Sequence, residues 1–377
     1  MDASTEIELI DELRDLDARG EKFLDNSVET SSIDRYMSAE RFAEEEAALF
    51  LRLPRLVATS AELAKPGDFL RVELSGRSVI VTRDREHVVR AFANVCRHRG
   101  ARLVAEDSGC KQRFSCPYHA WTYANSGELV AVPHEEAGFP DLDRSTRGLI
   151  QYPCVEHAGS IWVSLDRSRP LDIGAWLGGL GSEFEALGFA KLRPFATETL
   201  TLDVNWKVLV EGGIEAYHFK VAHRATIASL FLDNLSSYQR FAPHLRSVLP
   251  RTTLTEEDAD KVKRESLREH ANLIYSILPT VQFLVQADHI VRIRLEPLAA
   301  DKTEIHLSTL VDPDHPAPEH YWARHHEFTL KTLREDFDLG EGIQAGLGQG
   351  GDALLFGRYE GALAYFNDQV EALIART

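Results

Sequence analysis

At 377 residues the chain is long enough for two domains and a large core. Its 44% hydrophobic and 27% charged residues fit an ordinary globular protein. A formal net charge of −17 argues against nucleic acid and against an anionic membrane surface, both of which call for a basic patch.

The four cysteines are too few for a disulfide framework. The N-terminus lacks the basic and apolar regions of a signal peptide, and no run of about twenty apolar residues could span a bilayer. A cytoplasmic location is therefore expected. Residues 1–50 alternate acids with Ile7, Leu9, Ile10, Leu13 and Leu16 at helical spacing, which predicts one or two amphipathic helices packing on the rest of the chain. Near Leu53 the texture changes to short β-branched runs at 69–74, 78–82 and 88–92, punctuated by Pro66, Gly67 and Gly76. Further runs at 129–133 and 159–165 follow the turn Asn125-Ser126-Gly127. Residues about 53–166 thus read as an all-β unit.

Two loops of that unit carry metal-ligand chemistry. Cys96-Arg97-His98 and Cys116-Pro117-Tyr118-His119 each offer one thiolate and one imidazole. This is the ligand set of a Rieske [2Fe–2S] centre, in which two histidines replace two cysteines on one iron. A zinc site with two Cys and two His is the competitor, but its usual order places both cysteines before both histidines. Interleaved pairs suit two adjacent irons better than one tetrahedral ion. Cys110 and Cys154 are left over.

After a turn at 167–170, residues 173–192 read as mostly helical with glycine interruptions. The remainder mixes helices with strands at 197–204, 281–285, 290–295 and 303–311. The charge-dense stretch 256–270 reads as a solvated helix face, and about 319–346 as a long helix after Pro316 and Pro318. His325 and His326, among charged neighbours on that helix, are expected to face solvent.

The second constellation runs from Asn205-Trp206-Lys207 through Glu211, Gly212, Gly213 and Glu215 to His218 and His223. Two histidines near a carboxylate invite the 2-His-1-carboxylate facial triad of non-heme Fe(II) oxygenases. Glu215 and His218, at i and i+3, share a helix face; His218 and His223, at i and i+5, do not. The helix must kink or end for both imidazoles to reach one metal. The pattern is weak alone and strong beside a one-electron cluster, because a mononuclear iron consumes the electrons such a cluster moves.

Across residues 50–377 the chain resembles the terminal oxygenase (α) subunit of the Rieske non-heme iron oxygenases, the aromatic-ring-hydroxylating family with its choline-monooxygenase-like branch. The resemblance rests on Cys96-x-His98, Cys116-x2-His119 with Pro117 and Trp121, the Asn205-Trp206-Lys207 lead-in, and Glu215-x2-His218-x4-His223. Near the C-terminus, Glu335-Asp336-x4-Glu341-x2-Gln344 is similar to the segment supplying the family's carboxylate ligand. It implies Asp336 as third iron ligand, with Asp338 as the nearest rival.

The resemblance also implies an α+β architecture. N-terminal helices (1–50) would pack on a catalytic domain, followed by an all-β Rieske domain (51–166) and a helix-grip catalytic domain with an antiparallel sheet (167–377). In the family, cluster and iron of one subunit are too far apart for fast transfer, so subunits form a head-to-tail homotrimer. A carboxylate bridges the cluster histidine of one subunit to an iron-ligand histidine of the next. Here the bridge would run from His119 through Glu215 to His218. Most members carry Asp at the bridge; Glu215 is similar to oxygenases acting on quaternary ammonium compounds such as carnitine. Many have Asn where this chain has Gly212. Respiratory Rieske proteins match less well, because Ala101 and Tyr118 stand where their additional disulfide would be.

The implied activity is hydroxylation or oxidative demethylation of a small aromatic or amine substrate with O2. Electrons would come from an NAD(P)H-dependent reductase, directly or through a ferredoxin, since no flavin or nicotinamide fingerprint is evident. Cis-dihydroxylation of a ring is one alternative, and a Rieske-type electron-transfer protein without oxygenase activity is another. A quaternary ammonium substrate would want an aromatic cage, for which Tyr217, Phe219, Phe231 and Tyr238 are candidates; the same residues serve equally as core.

Overall fold

The apolar runs between 55 and 163 fold as antiparallel strands. Gln151–Tyr152, Val89–Ala93, Arg77–Arg83, Asp68–Leu74 and Ser108–Cys110 make a five-stranded sheet in that order. Two three-stranded sheets flank it in sequence: Cys154–His157, Ser160–Val163 and Arg55–Thr59, and then Arg113–Ser115, Thr122–Ala124 and Leu129–Ala131. The run Val79-Ile80-Val81 is unbroken because both of its faces are covered. Ile80 packs with Phe69, Phe92 and Phe114, while Val79 and Val81 pack with Val57, Leu74 and Ile161. The hairpin between Cys154–His157 and Ser160–Val163 turns through Ala158 and Gly159, both at positive φ. A Cβ on Gly159 would stand 2.0 Å from the Ala190 backbone nitrogen, so the position admits only glycine.

The computed structural model describes residues 1–376. The strands above belong to one compact unit, Phe50–Trp176 with Gly188–Leu192, and the rest of the described chain to a second. No helix is long and apolar enough to cross a membrane among the described residues.

The second unit is built on a seven-stranded antiparallel sheet. Its order is Arg193–Leu202, Lys302–Val311, Ile290–Ala299, Val281–Val285, Ala271–Ile277, His244–Pro250, Ser237–Phe241. The long helix Glu319–Leu347 lies against Arg193–Leu202 and against the helix Trp206–Gly212. It buries Trp322, His326, Thr329, Phe337, Gly340 and Gln344, a helical stripe facing inward. His326 is thus buried, not solvent-facing: it falls on that stripe, with Nδ1 2.8 Å from the Thr309 hydroxyl.

The N-terminal helix Ala3–Arg19, capped by the Asp2 side chain on the Thr5 amide, buries Ile10 and Leu13 against residues 253–270. That charged stretch is three short helices, Thr253–Glu256, Ala259–Arg264 and Leu267–His270, which bury Leu254, Val262 and Leu267. Its charge describes the outer side only. Glu29–Ser32, a strand the helical periodicity does not anticipate, pairs with Ala353–Phe356.

Asn205-Trp206-Lys207 starts its helix for visible reasons. The Asn205 side chain accepts from the Lys207 amide, and the Trp206 indole donates to Glu45 at 2.8 Å. Lys207 reaches the same carboxylate at 2.6 Å, both groups fully buried. On the helix's far end Glu211 accepts from Tyr36 at 2.7 Å and Asn367 at 2.8 Å.

Candidate metal centres and the adjoining cavity

The two Cys/His loops are built alike. In each, the cysteine amide bonds the carbonyl five residues on, Cys96 to Ala101 and Cys116 to Trp121, both at 2.8 Å. In each, the amide four residues on returns to the cysteine carbonyl, Gly100 at 3.0 Å and Ala120 at 2.9 Å. Those two residues hold the left-handed φ that closes the turn, 80° for Gly100 and 55° for Ala120. Cys96 and Cys116 are buried, and the rings of His98 and His119 sit 4.8 Å apart. Trp121 stacks on His98 at 9° and 4.8 Å. Burial, then the charges of His119 and Arg99, hold the His98 pKa below the usual imidazole value, in the direction that favours the neutral ring.

The buried Nδ1 atoms of His98 and His119 have no hydrogen-bond partner. Orphaned imidazole nitrogens beside two buried thiols are what a bound cluster would satisfy. Among the described residues this set is not one whose donor atoms gather within 4.8 Å of one another. Tetrahedral zinc would draw its donors to roughly 3.3–3.8 Å apart. The wider spread fits two irons.

In the second unit the helix Trp206–Gly212 stops at Gly213, and residues 213–218 turn. Glu215 and His218 therefore do not share a helix face as their spacing suggests, because the paired glycines end the helix first. His218 and His223 instead cap the two ends of a single helical turn, Phe219–Ala222. This break brings both imidazoles to one point. His218 Nε2 lies 3.2 Å from His223 Nε2, and Asp336 Oδ1 is 3.4 Å from the first and 3.0 Å from the second. Asp338, two residues on along the same helix, is exposed and outside the set.

Each histidine is fixed from behind. Glu215 Oε1 bonds His218 Nδ1, while Oε2 accepts from the Tyr217 amide. Glu335 Oε2 stands 2.8 Å from His223 Nδ1 and also accepts from Thr226. With Nδ1 committed to a carboxylate, each Nε2 is turned toward Asp336. Burial opposes charge on His218, but Asp336 and Glu215 outweigh it and hold its pKa up to about 10. Burial likewise works against ionised Asp336, and the two imidazoles pull its pKa down regardless. Such a group attracts a cation, and three donors on one side leave the other side open. In the sequence, the one signal for Glu335 is an acid directly beside Asp336.

Two lobes of a cavity, about 160 and 80 Å³, adjoin this cluster. The larger is walled mainly by Val208, Leu209, Ile293, Leu333, Phe337 and Ile343, and the smaller by Phe219, Ile227, Leu249, Ile274 and Leu284 with Ile293 and Leu333 shared. A Cβ on Gly212 would meet nothing within 4 Å, so the missing Asn side chain leaves open space. The four candidate cage aromatics do not converge. Phe219 lines the smaller lobe with Phe231 edge-on at 5.3 Å, whereas Tyr238 bonds Asp25 and Tyr217, half exposed, packs on Tyr359.

Comparison with known proteins agrees with this arrangement. Residues 54–153 match the Rieske [2Fe-2S] domain, and residues 189–376 the ring hydroxylating alpha subunit catalytic domain. The chain is 32% identical over 206 residues to the carnitine monooxygenase oxygenase subunit of Acinetobacter baumannii, covering 52% of this chain and 53% of that one. It is 34% identical over 218 residues to the N,N-dimethyl phenylurea N-demethylase subunit alpha of a Sphingobium species, covering 55% and 46%. The chain thus matches about half the length of these curated relatives. In fold it resembles the quaternary ammonium Rieske monooxygenase CntA in complex with L-carnitine, with a TM-score of 0.79 at 23% identity over 91% of this chain and 94% of that one. Naphthalene 1,2-dioxygenase from Rhodococcus gives a TM-score of 0.78 at 19% identity over 98% of both chains. A Rieske domain followed on one chain by this catalytic domain means that the chain belongs to the Rieske oxygenases of the ring-hydroxylating α-subunit type.

Proposed function

We propose that the chain is the terminal oxygenase component of a multicomponent oxygenase. It would hydroxylate or oxidatively demethylate a small organic substrate with O2 and electrons from an NAD(P)H-dependent reductase, with or without a ferredoxin. The observation that carries this is the triad His218, His223 and Asp336, each imidazole braced by its own carboxylate, opening on an apolar cavity. The same chain carries the paired Cys/His loops. An inert electron carrier has no use for the triad.

In this reading Cys96, His98, Cys116 and His119 hold a [2Fe–2S] cluster within 51–166, and His218, His223 and Asp336 hold a mononuclear iron within 167–377. When bound, the cluster supplies single electrons and the iron applies them to dioxygen. The chain's own residues prepare for this. Glu215 and Glu335 keep the proton on each Nδ1, and the apolar walls keep water from the open side of the triad. Glu215 has lone pairs to spare beyond His218 and the Tyr217 amide, so it is also the proposed acceptor for His119 of a neighbouring subunit in a homotrimer. The activities for which the relatives are named, a carnitine monooxygenase and a phenylurea N-demethylase, support demethylation at nitrogen as the outcome. A cytoplasmic site of action belongs to the same reading.

Metal analysis with oxygen uptake tests it. About three irons per chain and substrate-dependent oxygen consumption with a surrogate reductase are expected. Two irons without uptake would leave only the electron carrier, and zinc in place of iron would remove both readings.

A further inference from the structure

The sheet wall of the cavity carries one polar side chain whose orientation is fixed by its neighbours. Gln282 stands opposite Ser276 in the strand register and is 4% exposed. Its Nε2 donates to the Val210 carbonyl at 3.0 Å and to the Ser276 hydroxyl at 3.0 Å. A backbone carbonyl only accepts, so the nitrogen must face Val210 and the oxygen must face away from it. Oε1 then has no hydrogen-bond partner among the described residues, and Gln282 lines both lobes of the cavity. Gly213 allows the carboxamide to sit there: a Cβ at that position would stand 2.7 Å from Oε1.

The rest of the lining says what would approach that acceptor. No Lys or Arg lines either lobe among the described residues, and the two histidines that do are already paired with Glu215, Glu335 and Asp336, so a substrate carboxylate would find no free side-chain cation. Phe337 and Phe219 face different lobes, which leaves a quaternary ammonium group without a cage. Gln282 is the one uncharged polar side chain lining the larger lobe among the described residues; Asn272 and Thr332 line only the smaller lobe, where Asn272 Oδ1 accepts from Arg251 and the Thr332 hydroxyl donates to the Phe328 carbonyl. The larger lobe, about 160 Å³, is the size of an apolar cavity of about 150 Å³ that holds benzene.

We infer that the cavity selects a neutral, single-ring substrate carrying one N–H or O–H group, which donates to Gln282 Oε1. The inference rests on the oxygenase reading only in calling this ligand a substrate. Gln282 is the specificity-determining residue, because a ligand that offers a lone pair there leaves the buried acceptor unpaired.

Calorimetry on the holoprotein tests this with acetanilide and phenyl acetate, which differ by an amide N–H against an ester oxygen at one position. Acetanilide should bind at least about tenfold more tightly, and phenyltrimethylammonium should not compete. Gln282→Met should bring the two dissociation constants together while leaving the cluster spectrum unchanged. Equal affinity for the two probes in the wild-type protein, a preference that survives Gln282→Met, or tight binding of the cation would each overturn the assignment. The wild-type ratio decides even where the variant fails to fold. Oxygen uptake on the same samples separates the two readings. A donor preference without uptake keeps this assignment and removes the oxygenase; uptake without a preference does the reverse.

Discussion

Glu335 acts on the proposed iron site through His223. Its carboxylate holds the imidazole Nδ1 at 2.8 Å, from a position 112 residues further along the chain. Replacing it with glutamine weakens that hold without changing the shape. Glu335→Gln is expected to lower iron affinity by about 10- to 100-fold, read by chelator competition, with the cluster absorbance unaffected. Glu211 offers a different residue-scale prediction. Full burial pushes its pKa from 4.5 to about 7, against the opposing pull of Tyr36 and Asn367. The folded chain therefore keeps a proton that the unfolded chain releases. That contribution to stability is fully present below about pH 4.5 and is lost as pH rises through 7. Glutamine at 211 can still accept from Tyr36 and Asn367 but does not titrate. Glu211→Gln should gain on the wild type between pH 5 and 8, by on the order of 2–3 kcal/mol, in denaturant melts at several pH values. A constant difference across that range would remove Glu211 from the pH dependence.

At the scale of elements, two helices shape the proposed iron site. The helix Trp206–Gly212 ends where it does because Gly212 and Gly213 follow Glu211, and this end turns His218 and His223 toward one point. The long helix Glu319–Leu347 then delivers Glu335 and Asp336 together. Gly340, one turn beyond Asp336, is buried on the same helix and lines the cavity. A Cβ there would meet Val204 at 3.5 Å, an ordinary contact. Gly340→Ala should therefore stabilise the protein by about 0.5–1 kcal/mol, visible as a raised melting temperature, while weakening substrate binding by narrowing the cavity. A loss of stability would mean that the helix and Val204 cannot yield the room the Cβ needs.

For the whole molecule, the proposed homotrimer makes a prediction that a self-sufficient subunit does not. A chain with His119→Ala lacks the proposed electron outlet, and a chain with Asp336→Asn lacks the proposed iron ligand. Each homotrimer alone should be inactive. Co-expressed in equal amounts, they place an intact cluster beside an intact iron site at roughly a quarter of positions if assembly is random in a closed ring. About a quarter of wild-type turnover per chain is expected. No recovery in purified mixed trimers would mean that the electron does not cross between subunits.

The proposed donor pairs are legible in the linear chain because metal chemistry constrains residue type and short spacing. Cys96 with His98, Cys116 with His119, and His218 with His223 each lie on one local turn. The all-β texture of 53–166 and the helix at 319–347 were legible for the same reason, since periodicity is local. Spacing alone put Glu215 and His218 on a helix face that two glycines had already ended. Charged neighbours likewise pointed His326 to solvent, although the residue sits on the buried stripe of its helix. Tertiary structure alone decided that Glu335 braces His223, that four aromatic residues do not form a cage, and that Gln282 turns an unpaired oxygen to the cavity. Each of these depends on a contact between segments far apart in sequence, whose partners are set by how the sheet and helices pack.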